Sequence, residues 1–275
     1  MPRIALGIEY DGTAFAGWQH QSHARTVQGL LQKAVSAVAD HDVQLTGAGR
    51  TDAGVHALVQ VAHFDTTAER PERAWVLGTN SGADRDVSVH WARVVPDRFH
   101  ARHDALSRSY RYLILNRRMR PSLDRDRVCW FREPLDINAM HAAAQALVGE
   151  HDFSALRSSE CQSPTPVRRV RSVAVARHGD IVEIAITANA FLHHMVRNIA
   201  GTLLAVGSGE RPREWVAEIL QSRDRTRAGV TAPPQGLYLA GIEYPSACGL
   251  PSMPTLAREG ATSYRLRATG SGDDA

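Results

Sequence analysis

Arg168-Arg169-Val170-Arg171-Ser172-Val173-Ala174-Val175-Ala176-Arg177-His178-Gly179-Asp180-Ile181-Val182-Glu183-Ile184-Ala185-Ile186-Thr187-Ala188 is the stretch that decides the fold class. It reads as two strands folded back on each other at Gly179-Asp180, and such a hairpin makes the strands antiparallel. Strands and helices interleave on both sides of it. Upstream, Ile4, Leu6 and Ile8 alternate with Ala5, Gly7 and Glu9 as a first strand, and Thr26 is placed to cap a helix whose apolar face is Val27, Leu30, Leu31, Ala34, Val35 and Val38. Residues 42–48 and 57–65 read as strands, Pro71 starts a short helix containing Trp75 and Leu77, and Val87, Val89 and Trp91 begin another strand. From Arg108, Tyr110, Tyr112 and Ile114 alternate with Arg111, Leu113 and Leu115, and Asp136 caps a helix closed by Gly149. Downstream of the hairpin follow a buried helix over His194–Val206, a helix started by Pro212, and a last strand at Leu237–Glu243.

The interleaving with a tight hairpin predicts an α+β fold with largely antiparallel sheets rather than a doubly wound one. Both parts of the chain run strand, Phe-containing loop, long helix: Ala14-Phe15 precedes the first helix and Ala190-Phe191 the helix from His193. The expected organisation is therefore two similar halves, residues 1–105 and 106–245, flanking a central cleft with helices on the outer face. A Ser/Gly/Pro-rich segment, 246–275, is expected to be a disordered tail.

Formal net charge is +3, from 32 basic and 29 acidic residues, too small a surplus to identify a polyanionic partner by itself. Its distribution says more. Lys33 is the only lysine, and Arg102, Arg108, Arg111, Arg117, Arg118 and Arg120 crowd a short stretch against one acid, Asp104. A GC-rich coding bias explains the lysine-to-arginine ratio but not the clustering, and guanidinium groups bind phosphate through paired hydrogen bonds. Cys129, Cys161 and Cys248 form neither a disulfide framework nor a C-x-x-C metal pair. The His20/His23, His100/His103 and His193/His194 pairs do not have the spacing of a zinc scaffold, so no metal is expected. With no apolar signal core and no apolar stretch long enough for a bilayer, the expectation is a soluble cytoplasmic protein.

Between the strands at 42–48 and 57–65 lies Gly47-Ala48-Gly49-Arg50-Thr51-Asp52-Ala53-Gly54-Val55-His56-Ala57. Its glycines let the backbone turn tightly and approach a bulky partner, and they fit neither the dinucleotide nor the P-loop spacing. On the residues alone this is a turn with an aspartate cap; the alternative is a carboxylate exposed to a ligand approaching the sheet.

Gly49-Arg50-Thr51-Asp52-Ala53-Gly54-Val55-His56-Ala57 resembles the signature of the tRNA pseudouridine synthase A family. The resemblance continues in Tyr10-Asp11-Gly12, Phe15-Ala16-Gly17-Trp18-Gln19, Thr26-Val27-Gln28, Phe99-His100-Ala101-Arg102, Arg108-Ser109-Tyr110-Arg111-Tyr112, Cys161-Gln162-Ser163, Asn189-Ala190-Phe191-Leu192-His193-His194-Met195-Val196-Arg197-Asn198 and Gly236-Leu237-Tyr238-Leu239. These blocks fall in order over roughly residues 4 to 244. Two departures stand out: Gln32 where the family often has Glu, and Asn80-Ser81-Gly82-Ala83-Asp84 without the usual Leu-Pro, which leaves the path of that loop open.

The resemblance implies conversion of uridine to pseudouridine in the anticodon arm of tRNA, at positions 38, 39 or 40, by a homodimer without cofactor. It implies Asp52 as the catalytic carboxylate, Arg197 as its cationic partner, and Tyr110 stacked on the uracil with its hydroxyl available as acid or base. Leu237 is expected on the other side of the base, with Phe191 and His193 in the substrate-binding set. Arg50 is expected to fill the space of the flipped base or grip its phosphate. The cluster Arg102, Arg108, Arg111, Arg117, Arg118 and Arg120 is expected on phosphates, with Arg168, Arg169 and Arg171 as further candidates. The chemistry agrees in kind: an isomerisation needs no redox partner, a carboxylate in a water-poor site needs a nearby cation, and a stacked uridine must be flipped at a cost of about a few kcal/mol. Two other readings share parts of this pattern: a glycosylase acting at C1′, and a non-catalytic RNA-binding protein.

Overall fold

The computed structural model describes residues 1–251. Ten strands form one sheet: β1 (Arg3–Tyr10), β2 (Thr46–Gly47), β3 (His56–Asp65), β4 (Val87–Val95), β5 (Ser107–Asn116), β6 (Cys129–Phe131), β7 (Gly149–Asp152), β8 (Val167–His178), β9 (Ile181–Ala188) and β10 (Leu237–Glu243). Five α-helices accompany them: α1 (Val27–Ala39), α2 (Glu72–Gly82), α3 (Ile137–Ala144), α4 (Met195–Gly207) and α5 (Trp215–Ser222). The main path across the sheet is β4-β1-β3-β10-β5-β9-β8-β7, and along it only β3 and β10 run parallel. The fold is thus mixed α/β with a large, mostly antiparallel sheet, as the hairpin foretold.

Alternation along the strands sorts the side chains into two faces. Ile4, Leu6 and Ile8 of β1, Tyr110, Tyr112 and Ile114 of β5, and Val182, Ile184 and Ile186 of β9 share one buried cluster with apolar residues of all five helices, including Leu31, Trp75, Met140, Leu203 and Ile219. The helices therefore cover that face. On the other face lie smaller clusters, one around Val61 and Phe99 and one around Leu113 and Tyr238. Helix α1 begins where its sequence says it should, with the Thr26 hydroxyl accepting the Gly29 N–H at 3.3 Å.

The last strand, β10, joins the two parts of the chain. It runs between β3 and β5, with Tyr238 opposite His56 and Leu239 opposite Tyr110. The edge of β3 that meets β10 at His56 and Ala57 meets β2 at Ala62 and His63. The chain leaving β2 must cross from one neighbour to the other before entering β3, and residues 48–55 make that crossing in the middle of the sheet.

Several local expectations change. The strand expected over 42–48 shrinks to Thr46–Gly47, because the Gln28 and Gln32 side chains take up the Leu45 carbonyl and amide in place of a neighbouring strand. Helix α2 extends through Asn80 and Ser81, and the Asn80 amide closes two bonds to the Val89 backbone at 2.7 and 2.8 Å. That fixes the path left open by the missing Leu-Pro. Strands β6 and β7 are too short to show a period. Order continues past Pro245: Ser246–Cys248 form a 3-10 turn, and Cys248 and Leu250 pack with the cluster around Phe99, apolar contacts that the polar composition conceals. The remainder of the segment expected to be disordered lies outside the described residues.

Ile184 is fully buried at the centre of the helix-covered face. Ile184→Ala should lower unfolding free energy by about 2–5 kcal/mol, measured as a drop in denaturant midpoint at unchanged slope.

Candidate functional site

Residues 48–55 are pinned from below so that one side chain can stand free. Thr51 is buried, its hydroxyl 2.8 Å from the Tyr10 phenol and its carbonyl accepting the Trp18 N–H at 3.0 Å. Gln60 donates to the Gly49 carbonyl at 2.8 Å. The turn closes with the Val55 N–H on the Asp52 carbonyl at 3.2 Å, and Gly54 at its third position has φ of 76°, the left-handed backbone such a turn demands. Gly17, at φ 93°, passes so close that a Cβ there would lie 2.5 Å from the Thr51 carbonyl. With the backbone held on both sides of it, Asp52 keeps a side chain that is 22% exposed.

Three nitrogen-bearing side chains converge on that carboxylate from the start of α4. Arg197 Nη1 donates to Oδ2 at 3.2 Å, while its Nε donates to the Ala232 carbonyl at 2.8 Å and fixes the plane of the guanidinium. His193 Nε2 lies 3.3 Å from Oδ1 and His194 Nε2 lies 3.4 Å from Oδ2. His194 caps α4 in a left-handed conformation, φ 62°, which costs a non-glycine residue roughly 1–2 kcal/mol. The tertiary contacts around the carboxylate must hold it there. Burial pushes the His194 imidazole below its usual range, against the attraction of Asp52, and the positive charge of Arg197 works in the same direction as burial. The ring is therefore neutral near pH 7, and Arg197 is the principal countercharge. Asp52, His193 and His194 are also the residues that could together hold a metal ion, their ligand atoms all lying within 4.8 Å of one another. A dication there would face the guanidinium already seated on Oδ2, so the donor set suits a hydrogen-bonded carboxylate better than a chelate.

A largely apolar wall stands beside the carboxylate. Tyr110 sits opposite Leu239 of β10 and Ile186 of β9, and Leu237 sits opposite Tyr112, so all of these side chains project to the helix-covered face. Phe191 meets the Tyr110 ring edge-on, centroids 4.9 Å apart. Burial, followed by the nearby Asp52 charge, pushes the Tyr110 phenol well above its ordinary value, so it remains a neutral donor. The Tyr112 hydroxyl donates to the Pro233 carbonyl at 2.8 Å, tying the segment before β10 to the same place. The fold thus brings together Asp52, Arg197, His193, Tyr110 and Phe191, with Leu237 one step along the wall.

A family model described as tRNA pseudouridine synthase matches residues 7–104 and 143–245. A tRNA pseudouridine synthase A of Coxiella burnetii is 53% identical over 254 residues, covering 92% of this chain and 97% of its own. One of Methylococcus capsulatus is 56% identical over 248 residues, covering 90% and 92%. One of Stenotrophomonas maltophilia is 54% identical over 255 residues, covering 92% and 100%.

The arginines do not gather as their spacing in the sequence suggests. A strand advances about 3.3 Å per residue, so a run of arginines along β5 is drawn out rather than clustered. Arg108 is the clearest correction. It is 9% exposed, and its Nη1 and Nη2 donate to the carbonyls of Ala105, Asn189, Ala48 and Arg102, which commits four of its five N–H groups inside the fold. Arg111 projects to the face opposite Tyr110 and lies 3.5 Å from Glu183. Arg168 bonds to the carbonyls of Thr165 and Val167 and to Ser163, while Arg169 pairs with Glu150 and Arg171 with Glu243. Arg50 and Arg102 are exposed and make no ion pair among the described residues. His194, Thr51 and the Ala232 carbonyl belong to the site although no sequence pattern assigns them to it. His194 is visible as the neighbour of His193, but its left-handed backbone is set by contacts no local pattern encodes. Arg108→Met should strip four carbonyls, two of them in buried bonds, of their donor and lower unfolding free energy by roughly 3 kcal/mol, read by chemical denaturation.

Proposed function

The chain belongs to the tRNA pseudouridine synthase family, and from that premise we propose that it isomerises uridine to pseudouridine in the anticodon arm of tRNA, at positions 38, 39 or 40, with Asp52 as the catalytic carboxylate. The observation that carries the proposal is the Arg197 guanidinium 3.2 Å from an Asp52 carboxylate that remains partly open to solvent. The reaction breaks the bond from C1′ to N1, turns the uracil, and joins C1′ to C5. The C5 proton leaves to solvent and N1 regains one. Nothing is oxidised or reduced, so the chemistry calls for no cofactor.

Each neighbour has a part in this scheme. Arg197 offsets the cost of keeping Asp52 ionised once the base displaces water. Tyr110 supplies a ring for the flipped uracil to stack on, and its phenol oxygen can accept the C5 proton as the phenol's own proton passes to solvent. Leu237 and Phe191 line the base pocket, His193 holds Oδ1, and Arg50 occupies the gap left in the stem or grips the displaced phosphate. Two copies of the chain act together on one cytoplasmic tRNA. Among the described residues no helix is long and apolar enough to cross a membrane.

Incubation with tRNA labelled with tritium at uridine C5 tests the scheme. Wild-type protein should release tritium to water and retain the base as pseudouridine, whereas a glycosylase would yield free uracil and a binding module neither. Asp52→Asn should remove turnover while leaving tRNA affinity within a few-fold; substantial residual turnover would remove Asp52 from its role. Tyr110→Phe keeps the stacking ring but loses the hydroxyl, and should cut kcat by about 100-fold or more at similar KM. Because the Tyr110 pKa is raised, its protonated form persists as pH increases. The wild-type pH–rate profile should accordingly show no falling limb from this group up to the ordinary tyrosine range near pH ~10.

A further inference from the structure

Beyond the end of β5 the chain opens a cavity of about 660 Å³ that shares no residue with the site around Asp52. Arg117, Arg118, Arg132 and Arg177 line it, with Leu135 buried among them. We propose that this cavity is a phosphate-binding subsite for the tRNA backbone, remote from the reacting base.

Its back is built and its front is open. Asn116 holds the wall together, its Nδ2 donating to the Phe131 and Glu133 carbonyls at 3.1 and 2.6 Å. The Asn116 Oδ1 accepts from Arg177 Nη2 at 2.8 Å, and that nitrogen also reaches the Leu135 carbonyl at 3.2 Å. Arg177 is thereby oriented without losing its charge to an acid. Arg117 is steadied by the Met119 carbonyl at 3.0 Å, and its approach to Asp180 is 3.9 Å between exposed groups, too loose to neutralise it. Arg118 and Arg132 are exposed and make no ion pair among the described residues. Against these four cations, Glu133 is the one acid in the wall. Guanidinium groups left unpaired around a concavity suit an anion with several acceptor oxygens, and a backbone phosphate meets that requirement in paired hydrogen bonds.

Position supports the same occupant. Asn116, in the cavity wall, lies six positions along β5 from Tyr110 in the base pocket, roughly 20 Å along the strand. That span is on the scale of several stacked nucleotides of an A-form stem. One RNA helix could thus lie with its target uridine over Asp52 and a distant phosphate in the cavity.

The inference rests on the tRNA reading above, and its test separates the two. Tritium release and filter binding across a salt series would be measured for wild type and for the double variant Arg118→Gln/Arg132→Gln. The expected result is a KM about tenfold higher with kcat within twofold, and a shallower dependence of log affinity on log salt, by about 0.9 for each phosphate no longer neutralised. Arg132→Lys, which keeps the charge, should recover part of the slope. Phosphate ethylation interference with the wild-type protein adds a readout independent of any variant, with a blocked phosphate expected several nucleotides from the target. Unchanged KM and slope, or a loss confined to kcat, would overturn the subsite. Should wild type release no tritium, the catalytic reading falls, and the salt slope and ethylation pattern still decide the subsite.

Discussion

A carboxylate partly withdrawn from water is unfavourable unless a cation stands beside it, and the contact between Asp52 and Arg197 meets that demand. The two residues are 145 positions apart in the chain. Much of the architecture can be understood as what is needed to bring them together. Strand β10 links the parts of the sheet that carry them, the 48–55 crossing lifts Asp52 above the middle of that sheet, and α4 begins close enough for Arg197 to reach Oδ2. The Ala232 carbonyl then locks the guanidinium plane, so the partner is positioned before any substrate arrives.

The same demand shapes the surroundings. Thr51, buried and bonded to Tyr10, takes up the polar groups of the loop on one side of Asp52, and the turn closed by Gly54 takes them up on the other. This leaves the carboxylate as the loop's outward-facing acid. Burial lowers the tendency of the His194 imidazole to take up a proton, so it can donate to the carboxylate without adding a second full charge, and His193 approaches the other oxygen. A raised phenol at Tyr110 fits the same site, since a second anion beside Asp52 would work against the first.

Legibility in the sequence follows the length scale of each interaction. The hairpin at Gly179-Asp180, the Thr26 cap and the last strand from Leu237 are readable because period and capping are local properties. Asp52, Tyr110 and Arg197 are readable only through resemblance to a family, since no local pattern says that residues so far apart share a site. Arg108 misleads for the converse reason. Beside Arg102 and Arg111 in the chain it looks like part of a basic patch, yet strand alternation turns it inward, where four carbonyls claim it. Arg132 and Arg177 carry no signal in the sequence because they come from different strands and their ends, and meet Arg117 and Arg118 only in the folded sheet.

The central claim is that the Arg197 charge keeps Asp52 ready to react, and single-turnover tritium release by Arg197→Met and Arg197→Lys tests it most directly. The account predicts at least a 100-fold slower rate for the methionine variant, about 2.7 kcal/mol of barrier, with partial recovery in the lysine variant and tRNA binding within a few-fold of wild type in both. A methionine variant that turned over at close to the wild-type rate would contradict it.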